Sequence, residues 1–187
     1  IFATYYVTNI IFFHKLNTII MSRILTGAPC GVYTDLSKSD LAFLATTESL
    51  PSFTLTNCAV RDNEKISLSD FKIYKNENLT IFNISGLASL YVDAKNANTL
   101  VPLEWRNLKK LGTINLSSVG LNKEAIHYLV VSFIAAVNGG LGSSVTTTKT
   151  LILTGTNLKY PTTLAGTLEN DNLIALQQLG WTLQTNQ

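Results

Sequence analysis

The stretch Asn107–Leu121, NLKKLGTINLSSVGL, decides how this chain is read. Its apolar residues Leu108, Leu111, Ile114, Leu116 and Val119 fall in the pattern L-x-x-L-x-x-I-x-L-x-x-V. Alternate side chains of a strand leave by opposite faces. Ile114 and Leu116 are therefore predicted to point inward, and Thr113, Asn115 and Ser117 outward. The alternation returns in TLILTGTN, with Leu151 and Leu153 inward and Thr150, Ile152 and Thr154 outward. A weaker copy is LASLYVDAKN, carrying Leu87, Leu90 and Val92, and GWTLQT supplies a last strand.

Helical periodicity fills the gaps between the later strands. Ile126, Leu129, Val130, Phe133, Ile134 and Val137 recur at i, i+3, i+4, i+7 spacing and form one apolar face. Asn122 is placed to cap that helix by accepting a backbone N–H. Glu124 sits in the first turn, where the helix dipole favours a carboxylate. Asn138-Gly139-Gly140 ends it, because glycine tolerates a left-handed exit. A second helix is expected over Thr167 to Leu179, with Leu173, Leu176 and Leu179 inward and Gly180 as its stop. The second half thus reads strand–helix–strand–helix–strand, an order that gives parallel strands and right-handed crossovers. Leu90, Val92, Ile114, Leu116, Leu151, Leu153, Trp181 and Leu183 are expected in one shared core.

Earlier in the chain the pattern is mixed. Asp35 to Pro51 carries an incomplete apolar face (Leu36, Leu41, Phe43, Leu44) and reads as a short helix stopped by Pro51. Ser52–Thr56 and Ile66–Ile73 have period two and read as strands of a hairpin, with Arg61–Lys65 as a turn, capping one end of the sheet. Leu79–Ile84 and Leu90–Val92 both look like strands but lie too close together for successive coils, so one of them is expected to pair antiparallel. The first twenty residues, IFATYYVTNIIFFHKLNTII, precede the only methionine, Met21. They read as upstream translation before a start at Met21. The alternative is an apolar anchor or signal core, which His14 and Lys15 interrupt. The expected organisation is a leader at 1–20, a β-rich cap at 21–78 and a repeat domain at 79–187.

The L-x-x-L-x-x-I-x-L pattern is that of a leucine-rich repeat strand. The C-terminal segment from Thr150 to Thr185 resembles leucine-rich-repeat proteins encoded by tailed phages and Bacteroidota-like bacteria. The matching residues are Leu151, Leu153, Thr156, Asn157, Pro161, Gly180, Trp181, Thr182 and Leu183. The resemblance runs from about Leu108 to Gln187. It implies an α/β fold, a short irregular right-handed solenoid with an N-terminal β-rich cap. It also implies a non-enzymatic structural or binding module on a phage virion, tail-associated, or alternatively an adhesion module on a bacterial surface.

Bulk properties exclude several classes. Charged residues make up 14% of the 187 and the net charge is +2, too little positive charge for a phosphate backbone. No run reaches the roughly eighteen apolar residues of a membrane span. Neither nucleic acid nor membrane is an expected partner. Cys30 and Cys58 lack zinc-ligand spacing and read as small buried apolar residues rather than a bridge.

Catalytic constellations are weak. His127 has no nucleophile elbow or orienting acid and reads as a boundary residue. Asp62 with Glu64, and Asp70 with Glu77, read as solvated turn carboxylates, and Asp62-Asn63-Glu64 lacks calcium-loop spacing. Gly140-Leu-Gly142 follows a helix, the reverse of phosphate-loop order, and reads as a linker. Asn78, Asn83 and Asn115 stand in N-x-S/T sequons but read as strand and turn residues. No catalytic residue, metal or cofactor is expected. The candidate site is the outward row of the strands, namely Tyr91, Asp93, Asn115, Ser117, Ile152 and Thr154, flanked by Ser89, Thr113 and Thr150. Its polar character suits a protein or carbohydrate surface.

Overall fold

The computed structural model describes residues 51–56, 66–87, 90 and 100–187. Five strands form one sheet in chain order: β1 (Ser52–Thr54), β2 (Ile81–Asn83), β3 (Thr113–Asn115), β4 (Lys149–Leu153) and β5 (Trp181–Thr185). Every neighbouring pair is parallel. The registers chain into rows, and the central inward row is Phe53, Phe82, Ile114, Leu151 and Leu183. All five are buried in the core cluster. Leu55, Ile84, Leu116 and Leu153 follow two residues later on the same face and are buried as well. Two-residue alternation therefore sets the inner face, as the inward pairs Ile114–Leu116 and Leu151–Leu153 require.

The crossovers supply the other side of the core. Between β3 and β4 lies α1 (Lys123–Asn138), and between β4 and β5 lies α2 (Leu168–Gln178). Asn122 caps α1, its side chain accepting from the Ala125 N–H at 2.8 Å. Ile126, Leu129, Val130, Phe133 and Val137 are buried and Ile134 packs at the margin. Thr167 caps α2 by accepting from the Asn170 N–H. Leu176 is buried, with Leu173 and Leu179 partly so. The earlier crossovers use 3-10 turns at Leu68–Asp70, Ile73–Lys75 and Leu103–Asn107. The last of these seats Trp105 edge-on against Phe82, 5.3 Å between ring centroids. Phe53 and Phe71 complete that aromatic knot around Phe82.

Several expectations need correction. Ser52–Thr54 is not one arm of a hairpin with Ile66–Ile73. It is the first strand of the main sheet and pairs parallel with β2. Ile66 makes a single parallel bridge to Leu90, and the residues after it turn in 3-10 geometry. The period of two in that segment instead buries Ile66, Leu68, Phe71 and Ile73 one by one. No antiparallel pairing occurs at Leu79–Ile84 either, since Ile81–Asn83 runs parallel to both neighbours. Close spacing in sequence is accommodated because Leu90 bridges to Ile66 and not to β2. Asp70 is no free turn carboxylate: its Oδ2 accepts from the Ser67 N–H at 2.8 Å in a capping box. The leader at 1–20, the Asp35–Pro51 helix up to Leu50, both cysteines, Asp62, Glu64 and Val92 lie outside the described residues.

The Gly139–Gly142 segment does more than link. Gly142 has φ +68°, and a Cβ there would meet the Leu111 carbonyl oxygen and the Trp181 ring, each at 2.8 Å. Glycine at 142 lets the exit of α1 pack under β3 and β5, and its N–H donates to the Leu108 carbonyl.

Candidate binding face

The outward side of the sheet is built by the same alternation. One row is Ser52, Ile81, Thr113, Thr150 and Thr182. The next is Thr54, Asn83, Asn115, Ile152 and Gln184. Backbone bonds extend the pairing: the Gly86 N–H donates to the Ser117 carbonyl at 2.8 Å and the Ser118 N–H to the Thr154 carbonyl at 2.9 Å. Adjacent strands stand about 4.8 Å apart, so the rows form one continuous surface. None of the residues in the two rows is charged.

Of the six candidate residues, the structure brings four together. Asn115, Ser117, Ile152 and Thr154 lie on β3, β4 and their extensions, all part-exposed on this face. Tyr91 and Asp93 lie outside the described residues, as does Ser89. Sequence reading did not place Ile81, Asn83, Ser85 or Gln184 on the candidate face, which they share. Ile81 is 39% exposed, a large apolar group held in the first row. Its signal was present in the alternation around Phe82 and was obscured by the expected antiparallel pairing.

Two asparagines shape the carboxyl ends of the strands. Asn83 Oδ1 accepts from the Ser85 N–H and Asn115 Oδ1 from the Ser117 N–H, both at 3.0 Å. These are the local turns that asparagine favours, and they fix Ser85 and Ser117 beside each other. A third asparagine, Asn157, is buried at 4% exposure. Its Oδ1 accepts from the Leu121 N–H at 3.0 Å and its Nδ2 donates to the Leu116 carbonyl at 2.9 Å. It ties the turn after β4 to the turn after β3 and satisfies main-chain groups that would otherwise be buried unpaired.

Behind the sheet, the two helices share a polar cluster. Tyr160 is fully buried, and the Asn172 amide donates to its hydroxyl at 2.7 Å. His127 Nδ1 lies 3.2 Å from the same hydroxyl. Burial pushes the Tyr160 phenol above its usual value, against the opposing effect of the Asn172 bond. Beside the cluster, Lys123 makes a 2.6 Å ion pair with Glu169, which holds that carboxyl below its usual range. Through these contacts the cluster joins α1, the turn after β4 and α2. Among the described residues no group of three or more His, Cys, Asp or Glu side chains could hold a metal ion. No helix among them is long and apolar enough to cross a membrane.

At the amino-terminal ends of β2, β3 and β4 the face runs into a groove of about 360 Å³. Ile81, Thr113, Val145, Thr147 and Lys110 are among its lining residues. No protein-family model, curated protein or solved structure matches this chain.

Proposed function

We propose that this chain is a non-enzymatic binding module whose outward sheet face contacts a protein or glycan surface. In this reading the sheet and its crossovers form a short, irregular right-handed solenoid of leucine-rich-repeat type. The aligned inward rows, the consecutive parallel strands and the Asn157 bridge between successive turns support it. The observation that carries the functional reading is the uncharged outward face, on which Asn115, Ser117, Ile152 and Thr154 converge. Strands hold these side chains in place, so contact costs little ordering entropy. Hydroxyl and amide groups around an exposed isoleucine suit a wet, polar contact. The setting, a tail-associated component of a phage particle, rests on the sequence resemblance of the C-terminal segment alone.

The test is binding of the purified chain to a glycan microarray and to immobilised bacterial envelope fragments. Ile152→Asp places a charge at the centre of the face without touching the core. The variant is expected to fold, by circular dichroism and melting temperature, and to lose about tenfold or more in affinity, as central interface positions do. Unchanged binding by the folded variant would remove the face from the account.

A further inference from the structure

The groove beside the face is built differently from the rest of the surface. One wall is Thr80 and Ile81 at the start of β2, and the floor is Gly112 and Thr113 at the start of β3. The opposite wall is Ser144–Thr148, the segment that leads from α1 into β4. That wall is anchored by main-chain bonds. The Ser144 N–H donates to the Lys109 carbonyl at 2.9 Å and the Val145 N–H to the Gly142 carbonyl at 3.1 Å. Gly112 lets it come close: a Cβ there would lie 3.1 Å from Val145 Cγ1. Main-chain bonds thus fix the start of that wall, at Ser144 and Val145.

Its lining has a distinct chemistry. Thr80 donates its hydroxyl to the Pro51 carbonyl at 2.6 Å, which leaves its oxygen free to accept. The side chains of Thr113, Ser144, Thr146, Thr147 and Thr148 make no hydrogen bond within the described residues, so each can donate and accept. Ile81 and Val145 add apolar patches between them. Lys110 is the one charged group in the lining, and its ammonium donates to Asn78 Oδ1 at 2.7 Å. A single cation cannot balance a polyphosphate, and no carboxylate is present to hold a metal. No aromatic ring lines the groove for a nucleobase to stack on. A ligand that matches hydroxyls interleaved with apolar patches carries hydroxyls around a C–H framework, and the volume lies at the small end of ligand sites, about 300–1,000 Å³.

We propose that this groove is a subsite for one neutral sugar unit, a hexose or N-acetylhexosamine, at the end of a glycan lying on the sheet face. The inference rests on the reading of that face as a binding surface and assigns its ligand class. The hydroxyls of Thr113, Ser144, Thr146, Thr147 and Thr148 bond the sugar hydroxyls, and Ile81 and Val145 cover its C–H face.

The probes are free D-glucose, D-galactose, D-mannose and N-acetyl-D-glucosamine, titrated into the 15N-labelled chain and followed by amide chemical shifts. At least one is expected to shift the amides of Gly112, Thr113 and Thr146–Thr148 saturably, with a dissociation constant of about 1–30 mM, the weak range of a single small ligand. Thr113→Val with Thr147→Val keeps the shape and removes two hydroxyls. It is expected to weaken the sugar about fivefold or more while leaving the remaining spectrum in place. Absence of saturable shifts at these amides with all four sugars overturns the proposal. Saturable shifts centred on Asn115 and Ile152 instead overturn it as well. Ile152→Asp lies outside the groove lining, so it is expected to keep the sugar titration while losing envelope binding. A silent groove with intact envelope binding would thus refute the subsite and leave the face reading standing.

Discussion

Leu116 shows how much one residue carries in this fold. It is 1% exposed, follows Ile114 on the inner face of β3, and its carbonyl accepts from Asn157. Leu116→Ala is expected to cost about 2–5 kcal/mol in denaturant unfolding, the range for large-to-small core changes. A loss under about half a kcal/mol would contradict the register, since surface substitutions fall there. Asn157→Ala would leave the Leu121 N–H and the Leu116 carbonyl without their partner, and a cost of about 1–3 kcal/mol is expected for such a buried group. Tyr160 gives a pH signature. Its phenol is raised in the folded chain, so the unfolded state ionises first as pH rises. The associated stability is full below the ordinary tyrosine value near 10.0 and is lost as pH climbs toward the raised folded value. Unfolding midpoints at pH 8 and above pH 10 should diverge more for the wild type than for Tyr160→Phe, and equal divergence would contradict the assignment. Leu116 could be read from alternation alone. The His127–Tyr160–Asn172 cluster could not, because its members are far apart in sequence and meet only when α2 packs on α1.

Elements differed in how far their sequence revealed them. The helix α1 was fully legible, since its cap, periodicity and glycine exit are all local signals. Asn122→Ala should remove the Ala125 N–H acceptor and destabilise by about 0.5–2 kcal/mol, with the loss read as a lower melting temperature. Substitution to Ser should restore most of it, because serine caps nearly as well as asparagine. The strand β3 was legible for the same reason. The direction of β2 was not. A three-residue strand has the same side-chain alternation whether its partner runs parallel or antiparallel, and β2 is decided by β1 and β3 on either side. Ile66–Ile73 misled for a related reason: isolated buried apolar residues in 3-10 turns reproduce period two over a short span. The Gly142 turn was read as a linker because the Leu111 carbonyl and Trp181 ring that press on it come from distant parts of the chain.

For the whole molecule, the sequence carried the class of fold and one face of it. Among the described residues, five short strands stack parallel in chain order, helices and 3-10 turns cross behind them, and the two outward rows carry no charge. The four candidates on β3 and β4 were legible because outward positions follow from inward ones. The groove was not, because Ser144 reaches the Lys109 carbonyl and Val145 packs on Gly112 only once distant parts of the chain have folded together. The central claim is that the outward face, not the helical side or the Tyr160 cluster, makes contact with a partner. Hydrogen–deuterium exchange of the chain, free and bound to bacterial envelope fragments, tests it most directly. The account predicts slowed exchange on binding across Thr113–Ser118 and Lys149–Thr154, with α1 and α2 unchanged. Slowed exchange confined to α1 or α2, with both strand segments unaffected, would contradict it.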